Sequence, residues 1–445
     1  MVTRIKATLI GTLVLLSSFN LLAQVKPEEK NFTVQQLKED FFYLRSVLEK
    51  NHPRLYEFTP KKKFDRFMDS LYAAIRRPMN EIEFRYFLLP AFAKIHCAHT
   101  SLKGSDYLSA NSSELRYPPF KLYYENGKAY LQYNFSADSS LTVGSEVLAI
   151  NNVPVKAKIH ELKKRVTGDG IHESVQYSII NDIMVQTDFR EYYNTEDYKV
   201  ELIDKNRIKR NVHLKAITWN YYKKLAASKV QRKRREFKIM DSGNTGLLVL
   251  PSFNYQKNPA SENFLAAAFK ELKEKKVDNL VLDLRGNGGG PPDLAVELLT
   301  YLMKNDFVYF TDKAPAYSQY KKTLSVSENR FTGKVYCLID GGCGSTTGHF
   351  LSFFKFYNLG PLLGELSSAT FSGNGNGIPH SLTNTALTLY CPPAIYETTV
   401  KGLNRAKGIP PDYEITYKIE DVLAGKDRTL EFTLKLIANS SKLGK

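Results

Sequence analysis

The 445-residue sequence lacks the features of a fibrous, repetitive or membrane-spanning chain. It has no internal repeat and no low-complexity tract, and beyond residue 23 no apolar run approaches the roughly 20 residues that cross a bilayer. The 27 Tyr and 26 Phe exclude a largely disordered protein, which could not carry so many aromatic side chains. At roughly 150 residues per domain, we expect about three domains.

Cysteine and nucleotide-binding motifs are also scarce. The four cysteines are Cys97, Cys337, Cys343 and Cys391. They permit three fully paired disulfide connectivities. The glycine cluster at 286–290 has neither the G-x-x-x-x-G-K nor the G-x-G-x-x-G spacing, which argues against a phosphate-binding loop. The net charge is +16, but no nucleic-acid-binding motif is present, and the basic run 232–235 is typical of a solvated linker. Acidic polymers or lipid head groups suit such a basic protein better than nucleic acid does.

Residues 1–23 have the pattern of a secretory signal peptide. Arg4 and Lys6 are positive, Ala7 to Phe19 is apolar, and Leu21-Leu22-Ala23 resembles a small-residue cleavage site. A membrane anchor is the alternative, although the apolar run is short for a spanning helix. We therefore expect an exported protein, periplasmic or extracellular, without stable membrane insertion after cleavage.

The rest of the chain is predicted to form four regions. Residues 24–103 have helical periodicity, and residues 104–170 alternate as short strands. Residues 171–238 are polar and basic and are predicted to be a connecting subdomain, whereas residues 239–445 alternate apolar strands with helices. This last pattern predicts a layered α/β core.

Particular residues locate the predicted elements. In the helical region, capping residues at Thr33, Thr59 and Asn80 predict three helix starts. In the α/β region we predict strands at Thr245–Leu250, Leu280–Leu284, Val335–Ile339 and Ala386–Tyr390, and helices at Ser261–Glu274, Pro291–Met303 and Thr346–Phe356.

The segment Leu141–Val155 resembles the latter half of a PDZ domain. A glycine turn at Gly144 precedes a strand that ends in Ile150-Asn151, and a helical stretch follows at Ile159–Val166. PDZ modules bind extended peptides by adding a strand to a sheet edge. A spacer that binds nothing is the alternative.

The first motif with chemical potential is Leu282–Gly290, where a strand runs into a glycine cluster before a helix. Glycine allows unusual backbone angles and close approach, so the N–H groups of such a loop can converge on an oxyanion.

The second motif, Gly341–His349, also joins a strand to a helix. It places Ser345 at a helix N-terminus, where free N–H groups favour negative charge. An ordinary helix cap is the alternative role of this serine.

The third motif, Ile95–Leu102, contains His96 and His99 at the end of the helical region. A serine nucleophile needs a base, and histidine has a suitable ordinary pKa. Metal binding or a plain surface position are the alternatives for either histidine.

Together the three motifs resemble the tail-specific protease family of serine peptidases, which includes the C-terminal processing peptidases and the tricorn core. The resemblance also covers Gly364-Glu365 and Gly408–Asp412. It implies a layered α/β protease core of the ClpP/crotonase type, with an N-terminal helical region and a PDZ-like β-rich insertion. It further implies peptide or protein substrates and no metal or organic cofactor.

The resemblance assigns roles to individual residues. Ser345 aligns with the nucleophile, and the backbone N–H groups of Gly288, Gly289 and Thr346 align with the oxyanion hole. The tricorn-like branch uses a histidine from the N-terminal part as base, and His99 occupies that position.

The alternative lysine base of the family has no counterpart here. Thr370 stands at its position, and no lysine occurs between Lys355 and Lys401.

Two departures leave the group that orients His99 open. Ala98 and Arg405 replace a serine and a glutamate of the tricorn pattern. Glu365 and Glu397 are candidates by position for an orienting acid.

Two further expectations concern the loops around the predicted pair. Asp283 and Arg285 are expected to hold the glycine loop through charge-assisted hydrogen bonds. Cys97 and Cys343 each lie two residues before a predicted catalytic residue, so a disulfide between them is a hypothesis if His99 and Ser345 meet.

The function predicted from these motifs is an exported serine peptidase that forms an acyl-enzyme on Ser345 with His99 as general base. The alternatives are an inactive peptide- or ligand-binding protein on the same scaffold and an exported esterase.

Overall fold

A computed structural model describes residues 30–106, 116–170, 173–182, 195–229, 234–241, 243–254 and 263–443. The predicted signal peptide and part of the basic run lie outside these residues. The helices are α1 (Val34–Asn51), α2 (Lys61–Ala74), α3 (Glu81–Ile95), α4 (Val155–Lys163), α5 (Glu173–Asn181), α6 (Trp219–Lys229), α7 (Phe264–Glu274), α8 (Asp293–Leu302), α9 (Thr346–Phe356), α10 (Ile419–Leu423) and α11 (Arg428–Leu443).

The strands, in chain order, are β1 (Ser101–Lys103), β2 (Arg116–Tyr117), β3 (Phe120–Glu125), β4 (Lys128–Asn134), β5 (Glu146–Ile150), β6 (Val153–Pro154), β7 (Asp197–Ile203), β8 (Lys209–Lys215), β9 (Ile217–Thr218), β10 (Glu236–Ile239), β11 (Thr245–Val249), β12 (Asn279–Asp283), β13 (Lys334–Ile339), β14 (Leu362–Gly364), β15 (Ser372–Asn374), β16 (Ile378–Ser381), β17 (Thr388–Cys391), β18 (Ile395–Glu397) and β19 (Tyr413–Glu414).

The N-terminal helices begin largely as predicted. Thr33 and Asn80 form capping boxes with Gln36 and Glu83, which satisfy the first free N–H groups of α1 and α3. The prediction for Thr59 is wrong, because its hydroxyl donates to Lys94 O and α2 starts without a side-chain cap.

The central sheet has the order β10-β11-β12-β13-β14-β19. Strands β11, β12, β13, β14 and β19 are parallel to one another, and β10 is antiparallel at one edge. Helices α7, α8 and α9 pack on one face through a large apolar cluster, and α11 packs on the other through residues such as Leu434 and Ile437. The predicted layered α/β architecture is confirmed. Because both faces are covered, the central strands are almost wholly buried.

A second sheet has the order β3-β4-β5-β7-β8 and contains strands from two regions that were predicted to be separate domains. Strands β7 and β8 come from the predicted connecting subdomain, yet β7 pairs with β5 of the region predicted to be PDZ-like. Helices α4 and α5 contribute to the core of this sheet. The sheet therefore unites segments on both sides of residue 171.

The predicted strand Ala386–Tyr390 is observed as β17, but outside the central sheet. It lies between β1 and β16 in a three-stranded antiparallel sheet, with Ser101 opposite Tyr390. This pairing fixes the end of the helical region against the C-terminal part of the core.

Over the described ranges, every helix is too short or too polar to cross a bilayer.

Candidate active site

Ser345 lies at the sharp turn between the end of β13 and the start of α9. Its backbone has φ 49° and ψ −124°, a conformation that is strained for a residue with a side chain. The side chain makes no capping hydrogen bond to α9, so the alternative role as an ordinary helix cap does not describe this serine.

His99 contacts this hydroxyl although the two residues are 246 positions apart. Its Nε2 lies 3.1 Å from Ser345 Oγ. The turn that carries His99 is fixed by a hydrogen bond from Thr100 N to Cys97 O, 3.1 Å, and by a buried contact of 3.0 Å between His52 Nε2 and Thr100 Oγ1.

Asp169 lies behind His99 and was missed by the sequence analysis. Its Oδ2 is 4.0 Å from His99 Nδ1, and its Oδ1 accepts a hydrogen bond of 2.9 Å from Ala98 N. Among the described residues, the buried His99 Nδ1 has no hydrogen-bond partner. The carboxylate is therefore the acid placed to orient the imidazole after a small movement.

The loop that carries Asp169 is fixed directly to the histidine turn. Thr167 Oγ1 donates to Cys97 O at 3.1 Å, and Gly170 N donates to His96 O at 3.2 Å. The only hint in the sequence was an acid flanked by Gly168 and Gly170, a pattern typical of polar turns in general.

Neither glutamate proposed to orient His99 does so. Glu397 pairs with Lys313 at 2.8 Å and with Arg54 at 3.7 Å. Glu365 follows β14, where burial and then the nearby Asp340 carboxylate raise its pKa to about 7. These predictions were wrong because positions along the sequence did not reveal which loop covers the histidine.

The glycine loop packs directly against Ser345. A Cβ on Gly289, which has φ +101°, would lie 2.8 Å from Ser345 Cβ and 2.9 Å from Gly344 O. Only glycine permits this approach.

The expected oxyanion role of Gly289 N–H needs correction, because this group donates to Asn287 Oδ1 at 2.9 Å. The N–H groups of Gly288 and Thr346 remain as candidate donors. Thr346 is the first residue of α9, where an N–H group has no acceptor within the helix.

The side chain of Asn287 links the glycine loop to the turn that carries Ser345. Its Oδ1 accepts from Gly289 N and also from Thr347 Oγ1 at 2.8 Å, while its Nδ2 donates to Leu250 O at 2.9 Å. The residue is fully buried, so loss of these bonds would leave unpaired polar groups in the core.

Arg285 anchors the base of the glycine loop, as predicted. It donates to Asp283 at 2.9 and 2.7 Å, and it makes a second two-pronged pair with Asp427 at 2.6 and 2.7 Å. Such bidentate pairs fix orientation as well as charge.

The hypothetical Cys97–Cys343 disulfide is absent, since all four cysteines are free thiols. Cys97 Sγ accepts from Asn374 Nδ2 at 3.1 Å, whereas Cys343 Sγ donates to Leu284 O at 3.2 Å. The two sulfurs thus interact within separate loops although the side chains two residues later meet. Burial raises the pKa of the Cys97 thiol to about 11, so it is neutral at ordinary pH.

The departures from the tricorn pattern have local structural roles. Ala98 contributes its backbone N–H to Asp169, which any residue except proline could do. Arg405 pairs with Glu57 and donates to Ser372 O at 3.4 Å. Thr370, at the lysine position of the other branch, is buried beside Gly348 of α9.

Comparison with known proteins agrees with this architecture. Residues 244–415 match the model of Peptidase family S41, and the match includes the glycine loop and the Ser345 turn but not His99 or Asp169. No curated protein sequence matches the chain.

Several solved structures are similar to this chain at low sequence identity. Mature CPAF complexed with lactacystin is 11% identical over 91% of this chain and 98% of that chain, with a TM-score of 0.64. A second structure of mature CPAF is 11% identical over 88% and 94%, with a TM-score of 0.60. A putative peptidase from Parabacteroides merdae is 16% identical over 91% and 97%, with a TM-score of 0.49.

These observations identify the chain as a serine-type peptidase, a hydrolase. Its residues 244–415 are similar to peptidase family S41.

Proposed function

We propose that the protein is an exported peptidase that cleaves peptide bonds through an acyl-enzyme on Ser345, with His99 as general base. The observation that carries the proposal is the 3.1 Å contact between His99 Nε2 and Ser345 Oγ. This distance is within the range over which a base takes a proton from a hydroxyl.

The tautomer of His99 decides whether the pair can react. To accept the serine proton at Nε2, the neutral imidazole must carry its own proton on Nδ1. Asp169 is the acid that faces Nδ1, and a shortening of the 4.0 Å separation would form the hydrogen bond that stabilises this tautomer. Hydrogen bonds in active sites often tighten only when substrate is bound.

The proposed acylation uses the Ser345 turn and the glycine loop together. Ser345 Oγ attacks the scissile carbonyl, the proton moves to His99, and negative charge develops on the carbonyl oxygen. The N–H groups of Gly288 and Thr346 are the donors proposed to hold that oxyanion. His99 next protonates the leaving amine, and a water molecule, activated by the same base, releases the acyl group.

Peptide or protein chains are the proposed substrates. The sheet β3-β4-β5-β7-β8 contains the segment that resembles a PDZ domain, and we refer to it as the PDZ-like sheet. It is a proposed site for an extended peptide, because PDZ modules pair peptides with a strand edge. The signal-peptide pattern at residues 1–23 supports an exported location, which Edman sequencing of the mature protein beginning at Gln24 would test.

Labelling by a serine-directed fluorophosphonate tests the nucleophile. We expect one modified residue, Ser345, and no labelling in Ser345→Ala or His99→Ala. Ser368→Ala is the matched control, because its hydroxyl also lies beside the serine turn and donates to Cys343 O at 2.9 Å. An unlabelled but folded wild-type protein would favour the inactive binding protein.

Parallel peptide and ester substrates test the leaving group. Hydrolysis of peptides that is lost in Ser345→Ala supports the peptidase. Ester hydrolysis without cleavage of any peptide in a broad library would favour the esterase instead.

A further inference from the structure

A cysteine, a histidine and an aspartate converge behind the predicted catalytic pair, on the side away from Ser345. Cys97 Sγ, a ring nitrogen of His99 and a carboxylate oxygen of Asp169 all lie within 4.8 Å of one another. We propose that these three side chains form an inhibitory Zn²⁺ site. The inhibitory effect rests on the proposed function, whereas metal binding does not.

The spacing of the three groups is close to that of a zinc centre. Bonds of about 2.3 Å to sulfur and about 2.0–2.2 Å to nitrogen and oxygen place tetrahedral ligand atoms roughly 3.3–3.6 Å apart. The 4.0 Å between His99 Nδ1 and Asp169 Oδ2 needs a shift of less than about 1 Å. Two short loops carry the ligands, and hydrogen bonds from the Thr167 hydroxyl to Cys97 O and from Gly170 N to His96 O already join them.

His99 offers the required nitrogen. Its Nε2 faces Ser345, whereas its Nδ1 is buried and, among the described residues, has no hydrogen-bond partner. A buried polar atom without a partner is costly, and a metal ion would satisfy it.

The chemistry of the ligand set selects the metal. One thiolate, one imidazole and one carboxylate suit Zn²⁺, whereas Mg²⁺ and Ca²⁺ prefer oxygen alone. Water would complete a four-coordinate centre. A pocket adjoins the three ligands and is the proposed route of entry for the metal; it is lined by Cys97, His96, Asp169 and Asn374 together with Arg54 and Arg405.

The metal would inhibit by fixing the wrong tautomer. Coordination uses the Nδ1 lone pair, so the neutral ring keeps its proton on Nε2 and cannot accept the proton of Ser345. Coordination also occupies Asp169, the acid that would otherwise orient the ring. The oxyanion donors and the PDZ-like sheet are untouched, so turnover should fall while substrate binding persists.

Metal binding to the full mature chain is the first test. Titration with Co²⁺, a spectroscopic substitute for Zn²⁺, should give one equivalent bound and a thiolate-to-cobalt charge-transfer band. Cys97→Ser should lose the band, and Cys391→Ser, which alters another buried thiol outside the ligand set, should keep it. Asp169→Asn is a second variant and should weaken Zn²⁺ binding by about tenfold or more.

Inhibition is the second test. Zn²⁺ should lower kcat at least about tenfold with little change in KM, in wild type and in Cys391→Ser, and a chelator should restore activity. Cys97→Ser should stay active at the Zn²⁺ concentration that inhibits the wild type.

The outcomes separate the two proposals. A folded, active protein without the charge-transfer band, or with a band that persists in Cys97→Ser, would overturn the zinc site alone. Equal Zn²⁺ sensitivity of wild type and Cys97→Ser would overturn it as well. A protein that binds the metal through Cys97 but never cleaves peptides would keep the site and refute the proposed function.

Discussion

The two halves of the candidate site are built in different ways. The half that carries Ser345 is a pair of turns at the ends of adjacent parallel strands, β12 and β13, fixed by the side chain of Asn287. The half that carries His99 is an irregular turn after α3, held by the Asp169 loop and by His52. The first half belongs to a continuous buried sheet, and the second is assembled from segments distant in sequence.

This contrast explains how the two halves should respond to change. In the sheet half, geometry is determined by backbone hydrogen bonds and by space that only glycine can leave. In the loop half, orientation depends on a few side-chain contacts, of which the one between Asp169 and His99 is still longer than a hydrogen bond. We therefore expect electrostatic changes to act on the loop half and steric changes to act on the sheet half.

Asp169→Asn should have the largest effect. The asparagine amide would favour the histidine tautomer that cannot accept the serine proton, so we expect kcat to fall by up to about 10⁴-fold with an unchanged fold. Steady-state kinetics and circular dichroism would measure both. Glu365→Gln is the matched control, because Glu365 is a partly buried acid that makes no hydrogen bond or ion pair with His99, and this variant should retain activity. Equal losses in both variants would show that His99 is not oriented by Asp169.

Gly289→Ala should have the next largest effect. The added Cβ would meet Ser345 Cβ at 2.8 Å and Gly344 O at 2.9 Å, so the two turns must separate. We expect activity to fall about 10²–10³-fold, comparable to the loss of one oxyanion donor. Gly288→Ala should lose much less, because a Cβ there would have no atom within 4 Å. A milder loss in Gly289→Ala than in Gly288→Ala would contradict the packing described here.

Acid should weaken both halves by a smaller amount. Burial lowers the pKa of His52, in the loop half, to about 4 and that of His349, on α9, to about 3. Below pH 6.5 the unfolded chain takes up protons that the folded chain does not, so stability falls as the pH drops from 6.5 towards 4. Once the imidazole is protonated in the unfolded chain, each histidine contributes a slope of up to about 1.4 kcal/mol per pH unit.

Urea unfolding between pH 4.5 and about 8 would measure these slopes. His349→Phe should reduce the acid slope by the share of one histidine and leave the slope above pH 7 unchanged. An identical acid slope in this variant and in the wild type would remove His349 from the account.

The sequence predicted the sheet half better than the loop half. The alternation of apolar strands and helices located β11, β12, β13 and α9 to within about two residues, since buried parallel strands form continuous apolar runs. The strand-to-helix turns then followed, and with them Ser345 and the glycine loop.

The loop half could not be derived in the same way. Nothing local in Gly168-Asp169-Gly170 distinguishes an orienting acid from an ordinary turn, because its partner is about 70 positions away. The same difficulty caused the wrong disulfide and the misplaced strand β17, whose pairing with β1 depends on tertiary contacts.

The proton-transfer pair is tested most directly by a double-mutant cycle on kcat/KM with Ser345→Ala, His99→Ala and the double variant. Residues that act as one unit are strongly non-additive, so each single substitution should cost nearly as much as both together. Additive losses, or substantial turnover in either single variant, would contradict a shared proton between His99 and Ser345.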